Sequence, residues 1–283
     1  MESLTSLEEY KDLLKEVKTI TKRPFSNIYF SLPALERFIG LDRVGYEKTD
    51  AGVLFYIDEE AYYRVYLYVD LNKELKIGKQ DKRLYCRYIY RQSEKQDLHN
   101  SIQKVLTDNG FIKEGISVEL QADPKEYVRN YSYLERYISS MEKKGYKCII
   151  PDSSRYAEIE QMFLDSGIIK DYHIEFRTEE EKKQLQEGSY LCIVKQDEIC
   201  AARIATLENG VAHAEDIAVK EQYKLKGLAP ILAYQGMKWF CENDIKLMRG
   251  WVLVHNQNAM EYYRSMGYQF NNKYSEEWIL SAR

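Results

Sequence analysis

The chain has 283 residues, 30% of them charged and 45% hydrophobic, with a net charge of −4, which gives room for one large or two ordinary soluble domains and argues against a nucleic-acid duplex as partner for the whole surface. No uncharged apolar run nears the ~20 residues that span a bilayer. The opening MESLTSLEEYKDLLKEVK lacks a signal-peptide core, so a cytoplasmic protein with no membrane partner is expected.

In chain order, an amphipathic pattern predicts a helix over about residues 5 to 19, and SLPALERFIGL predicts a second with Ser31 as N-cap and Pro33 in its first turn. GVLFYIDEEAYYRVYLYVDL offers two strands around the acidic turn Asp58-Glu59-Glu60, and KRLYCRYIYR a third carrying Arg83, Arg87 and Arg91. In SEKQDLHNSIQKVLTDNGF, Ser93 and Gln96 have capping-box spacing, Leu98, Ile102, Val105 and Leu106 share a face, and Gly110 ends the helix. GISVEL then reads as a strand. DPKEYVRNYSYLERYISSMEKKG, from the Asp123-Pro124 start to Gly145, predicts one long connecting helix.

The second half reads as strand YKCIIP, helix SSRYAEIEQMFLDSG capped by Ser153 or Ser154, and a further helix near TEEEKKQLQEG. Strands SYLCIVKQ, EICAARIATLENG and VAHAEDIAV follow, then a helix from Gly227 to about Asn243. Strand KLMRGWVLV, helix NQNAMEYYRSMG and strand YSEEWIL complete the chain. This order predicts an α+β (mixed α/β) fold with a twisted central sheet flanked by helices. Domain boundaries fall at 1–122, a connecting helix over 123–143, and 144–283. A weak echo between DNGFIKEGISVEL and SMGYQFNNKYSEEWIL points to two tandem copies, the first degenerate.

Tyrosine is the compositional oddity, 25 against 9 Phe; aromatic residues suit half-buried strands, and a Tyr-lined acceptor pocket is the alternative. The five scattered cysteines, Cys86, Cys148, Cys192, Cys200 and Cys241, form no C-x-x-C pair and have no histidine at ligand spacing. They read as reduced core thiols, with no metal site expected. Cys192 and Cys200 have no adjacent acid-base partner in sequence, so nucleophilic thiol catalysis is not supported.

VKEQYKLKGLAPILAYQGMKWF places a strand end, two lysines and Gly227 ahead of a helix. A helix N-terminus presents unpaired N–H groups and partial positive charge, and glycine lets an anion approach the bare backbone. Lys224 and Lys226 stand at the positive end of the dipole, where they favour an anionic guest. The turn alone leaves a phosphate cradle and an ordinary chain reversal both open.

Two strings then carry a resemblance. VKEQYKLKGLA follows V-x-x-x-[YF]-[RQ]-x-x-G-x-[GA] with Lys224 in place of Arg or Gln, and Asn256, Ala259, Tyr263, Gly267 and Tyr268 fill N-x-x-A-x-x-x-Y-x-x-x-G-[FY]. Together they resemble the GNAT superfamily of acyl-CoA-dependent N-acyltransferases over about residues 144 to 283. The resemblance implies that coenzyme A pyrophosphate lies on the amides of Leu225, Lys226, Gly227, Leu228 and Ala229, near Lys224, and that pantetheine pairs with the backbone of Ile217, Ala218 and Val219. It also implies roles in the cofactor site for Asn256 and Ala259, and Tyr263 as acid for the departing thiolate. Lysine in place of arginine keeps the charge but loses the forked donor. Pro230 lacks an N–H, but in the first helical turn that donor has no intrahelical partner.

Acyl transfer to an amine needs a neutral nucleophile, and an ordinary ammonium at pH 7 is overwhelmingly protonated. By strand alternation His213, Glu215, Ile217 and Val219 share a face, which makes Glu215 and His213 the candidate bases. His255 either lines the site or caps the helix starting near Asn256. The expected function is acetyl transfer from acetyl-CoA to an amine acceptor, in a monomer or homodimer. Two alternatives remain: a catalytically silent CoA sensor or partner-binding module, and a tRNA-dependent aminoacyl transferase.

Overall fold

In the computed structural model, residues 1–94, 96–166 and 188–282 are described, with the backbone alone of Glu208, Ala214, Glu215 and Asp216. The chain divides into two compact units, Met1–Ser117 with Asn272–Arg283, and Val118–Asn271.

The first unit opens with β1 (Glu2–Ser3), then α1 (Leu7–Ile20), where the Ser6 side chain accepts from the Glu9 N–H, β2 (Phe25–Ser26), and α2 (Leu32–Gly40), capped by Ser31 with Pro33 in its first turn. β3 (Val44–Thr49) was not anticipated, because VGYEKT mixes glycine and charge. It pairs antiparallel with β4 (Gly52–Asp58) from Val44 opposite Ile57 to Thr49 opposite Gly52. β5 (Tyr62–Val69), β6 (Arg83–Arg91) and α3 (Gln96–Asp108) follow. The helix begins three residues after Ser93, so Ser93 is not its N-cap, and Leu98 is exposed while Ile102 and Leu106 are buried. β7 (Ile112–Ala122) runs on from it.

The unit's sheet has the order β1, β3, β4, β5, β6 and then the last strand of the chain, β13 (Gln269–Leu280). β4 is buried on both sides, which explains the unbroken GVLFYI. Val53, Phe55 and Ile57 pack with α1 and α2, while Leu54 and Tyr56 join Ile102 and Leu106 of α3. Tyr56, Tyr62 and Tyr88 are almost completely buried, so much of the tyrosine excess is packed strand surface.

β5 and β6 are parallel, and their ladder covers 62–65 against 83–86. Beyond it the Asn27 side chain bridges the two strands. Its Oδ1 accepts from the Leu67 N–H at 2.6 Å, and its Nδ2 donates to the Arg87 carbonyl at 2.7 Å and to that of Val65 at 3.4 Å. β2 pairs antiparallel with β5, Phe25 opposite Val69 and Ser26 opposite Tyr68. The space where these strands part is therefore filled by the chain itself.

In the second unit, the segment expected as one helix folds as two, α4 (Pro124–Asn130), capped by Asp123, and α5 (Leu134–Lys143). The break falls at Asn130-Tyr131-Ser132-Tyr133, residues of modest helix propensity. Tyr131 takes advantage of it to donate to the Ser265 carbonyl at 2.8 Å. β8 (Tyr146–Ile149) leads to a short 3₁₀ turn, Ser153–Arg155, capped by Asp152 rather than by either serine, and α6 (Tyr156–Asp165). The helix expected near TEEEKKQLQEG lies outside the described residues.

β9 (Tyr190–Lys195), β10 (Glu198–Glu208) and β11 (Val211–Val219) continue an antiparallel run from β8, and α7 (Leu228–Glu242) crosses to β12 (Leu247–Leu253), parallel to β11. α8 (Gln257–Ser265) precedes β13. Ile159 and Phe163 of α6 bury Cys192, Ala202, Ile204 and Ala218. α7 packs against β9, β10 and β11 and against α4 and α5. Glu135 of α5 accepts from Tyr234 at 3.2 Å and Lys238 at 2.9 Å on α7.

Both units thus place a parallel strand pair after an antiparallel run. The second unit joins its pair through α7, whereas the first uses 70–82, which contains no helix. The expected divisions at 122 and 143 differ from the compact units because 118–143 belongs with the second and 272–283 with the first. Eight consecutive pairs, from Lys273 opposite Arg91 to Leu280 opposite Leu84, bind β13 to β6, and Trp278 and Leu280 enter the first unit's core. Among the described residues no helix is long and apolar enough to cross a membrane.

Asn27→Leu should leave the buried Leu67 N–H and Arg87 carbonyl unmatched, at a cost of about 3 kcal/mol. Urea unfolding followed by tyrosine fluorescence would show the loss as a lowered midpoint.

Candidate functional site

The ladder between β11 and β12 covers only 211–213 against 247–249, although β11 runs on to Val219 and β12 to Leu253. Where the two strands leave the ladder, a cavity of about 30 Å³ opens against α7. Ile217 and Trp251 line it from the parted strands, Arg203 from β10, Met237 and Phe240 from α7, and Tyr263 from α8. Of the residues expected at the site, the cavity brings together Ile217 and Tyr263.

β11 carries a bulge that strand alternation could not foresee. Ile204 pairs with Asp216 but Ala205 with Ala214, so Glu215 is the extra residue. A one-residue insertion reverses the alternation. Ile217 pairs with Arg203, whereas His213 pairs with Thr206, three positions along β10. His213 therefore lies on the opposite face from Ile217 and Val219, which corrects the expectation that they share one. The burial pattern agrees: Ala218 and Ile204 pack under α6, while Arg203 meets the Phe240 ring of α7. The His213 side chain is exposed. Glu215 stands at the bulge, and its side chain lies outside the described residues.

The turn between β11 and α7 is firmly built. The Lys220 N–H donates to the Cys200 carbonyl at 3.0 Å, and a 3₁₀ turn spans Glu221–Tyr223. Glu198, at the start of β10, accepts from Tyr223 O–H at 2.6 Å, Gln222 at 3.1 Å and Lys220 at 3.3 Å. The Tyr223 hydrogen bond, followed by that from Lys220, holds the Glu198 carboxyl below the usual range, and the same Tyr223 contact pushes the phenol up.

Leu225 then adopts φ 60° and is fully exposed, and Gly227 adopts φ 75° as the N-cap of α7. Open space lies where a Gly227 Cβ would point. No side chain caps α7 and no acid stands in its first turn, so the Leu228 and Ala229 N–H groups have no intrahelical acceptor. The two lysines are less idle than the sequence implied. Lys224 pairs with Glu221 at 2.6 Å, an exposed contact of little net worth, and Lys226 sits 4.8 Å over the Tyr223 ring.

Asn256 is the N-cap of α8, its Oδ1 accepting from the Ala259 N–H at 3.1 Å. The N-x-x-A spacing is thus a helix cap in this fold, and the cap is Asn256 rather than His255. That cap aims the helix carrying Tyr263, whose ring meets Tyr268 at 5.0 Å. The Tyr268 N–H donates to the Tyr263 carbonyl at 3.0 Å across the Gly267 turn.

The five cysteines are free, with Cys86, Cys192 and Cys200 buried. Burial pushes the Cys86, Cys148 and Cys192 thiols up to about 12, far from a reactive thiolate. Sequence reading missed Arg203. The available signal was a lone cation inside the apolar run ICAARIA, matched by Gly236 in mid-helix: a Cβ there would come within 2.5 Å of the Arg203 Nε.

The profile of the Acetyltransferase (GNAT) family matches residues 148–268. A comparison with curated proteins found no match. Among solved structures, a tandem GNAT protein from the clavulanic acid biosynthesis pathway is 11% identical and covers 100% of this chain and 98% of its own, with a TM-score of 0.55. A Drosophila protein is 10% identical over 98% of this chain and 97% of its own, TM-score 0.55. A GCN5-related N-acetyltransferase from Kribbella flavida is 12% identical over 83% and 89%, TM-score 0.51. At such identities the likeness is one of fold, and it extends to both units. The parted parallel strands, the uncapped glycine turn and the matched profile agree: residues 148–268 of this chain are a domain of the GNAT acetyltransferase family, within a tandem GNAT fold.

Proposed function

We propose that the second unit is an N-acyltransferase that moves an acyl group from acyl-CoA, with acetyl-CoA as its smallest donor, to an amine acceptor. The observation that carries this reading is the uncapped start of α7, with open space above Gly227, at the end of the strand β11 that parts from β12 beside the cavity. Pyrophosphate on the amides of 225–229 and pantetheine along 217–219 would satisfy both features. Lys224 and Lys226 add positive charge at the rim. Asn256 and Ala259 serve the site by fixing α8.

In the reaction the amine nitrogen attacks the thioester carbonyl, the C–N bond forms, the C–S bond breaks and the sulfur leaves as thiolate. Tyr263, at the cavity wall, supplies a proton to that thiolate. Glu215 at the bulge takes the amine proton, directly or through water; His213 points to the opposite face of β11 from Ile217 and has no part in this step. The first unit contributes no donor site on this reading, because Asn27 and β2 fill the equivalent opening and 70–82 offers no helix start.

Calorimetric titration of the full chain with acetyl-CoA should give one site per chain, and Gly227→Glu should abolish it. A stoichiometry of two, or binding indifferent to Gly227→Glu, would sink the reading. Tyr223→Phe, which frees the turn from Glu198, should weaken the same binding about threefold to tenfold. Release of CoA thiol across an amine library tests turnover. Tyr263→Phe should lower kcat about tenfold to a hundredfold with KM for the donor nearly unchanged.

A further inference from the structure

The cavity between the parted strands contains a charge that no described residue balances. Arg203 is only 4% exposed. Its Nη2 donates to the Gly188 carbonyl at a long 3.3 Å, its Nε has no partner, and its guanidinium lies 4.2 Å over the Phe240 ring. Among the described residues no carboxylate reaches it. The titratable groups that act on it are Tyr268 and Cys148, and burial keeps both protonated and neutral at pH 7. Burial lowers the Arg203 pKa only to about 10, so the cation persists there.

A buried guanidinium without a counter-charge is a costly arrangement. The second unit accommodates it deliberately, since Gly236 gives up a side chain in mid-helix where a Cβ would strike the Arg203 Nε. The rest of the lining is mostly apolar, with Leu120, Met237, Phe240 and Met248 around the one cation. About 30 Å³ is room for a few heavy atoms, not for a sugar or a ring. Arg203 is also the pairing partner of Ile217, one of the β11 residues along which the donor's pantetheine is proposed to lie, and both line the cavity.

We propose that Arg203 receives a carboxylate at the far end of a short acyl group carried by CoA, so that the preferred donor is a dicarboxylic acyl-CoA rather than acetyl-CoA. This inference rests on the donor site proposed above. The transfer is unchanged in its chemistry: the amine nitrogen bonds to the thioester carbon, the thiolate departs, the amine loses one proton, and the distal carboxylate stays ionised on Arg203 throughout.

The test is calorimetric titration of the full chain, without acceptor, with malonyl-CoA, succinyl-CoA, acetyl-CoA and isovaleryl-CoA, the last being an uncharged shape-match for malonyl-CoA. At least one of the two dicarboxylic esters should bind about tenfold or more tightly than isovaleryl-CoA, as a charge-assisted hydrogen bond in a water-poor site requires. In Arg203→Met that preference should vanish. Wild-type chain that binds isovaleryl-CoA or acetyl-CoA as tightly as both dicarboxylic esters overturns the inference, and this comparison decides the matter even if the variant does not fold. A preference that survives in folded Arg203→Met overturns it too. A chain that binds none of the four esters overturns the donor site itself, and this inference with it.

Discussion

Parallel strands that stop pairing partway along their length leave main-chain donors and acceptors that must meet something. Both units of this chain are organised around that constraint. In the first, Asn27 serves as a substitute rung, taking the Leu67 N–H and the Arg87 carbonyl across the opening while β2 adds to β5. In the second, a cavity opens at the same relative place and a glycine turn stands above one of the two strands. One architecture has been closed with side-chain chemistry and the other left open, which is why the proposed chemistry is placed in the second unit.

The open site is held by parts that lie outside it. Glu198 clamps the turn through three donors, so the exposed amides of α7 are presented by a rigid base rather than by a floppy loop. Asn256 fixes the start of α8 and with it Tyr263. Gly236 lets α7 settle over Arg203. Each is a small local interaction. Together they fix where the glycine turn, Tyr263 and the buried Arg203 stand relative to one another within the unit.

Two helix starts were legible because their signals are local: Ser31 and Asp123 cap as short polar residues ahead of amphipathic runs do, whereas neither Ser93 nor Ser153 or Ser154 caps the helix expected of it. The glycine turn and the α8 motif were legible for the same reason, being fixed spacings within one turn and one helix. Reading failed where geometry depends on a partner strand. β3 is recruited by β4, the bulge at Glu215 exists only in register with β10, and 272–280 joins the first unit through β6. Period-two alternation assigned His213 to the face of Ile217, and one inserted residue reversed it.

What the sequence by itself determined is most of the element order, the glycine-led start of α7 and the family those motifs carry, since each is written in residues near one another in the chain. Only the tertiary structure decided which opening is filled, that His213 and Ile217 take opposite faces of β11, and that Arg203 stands buried beside the cavity with no carboxylate against it among the described residues. Those depend on strand register and on packing between distant segments, where a shift of one residue exchanges inside for outside.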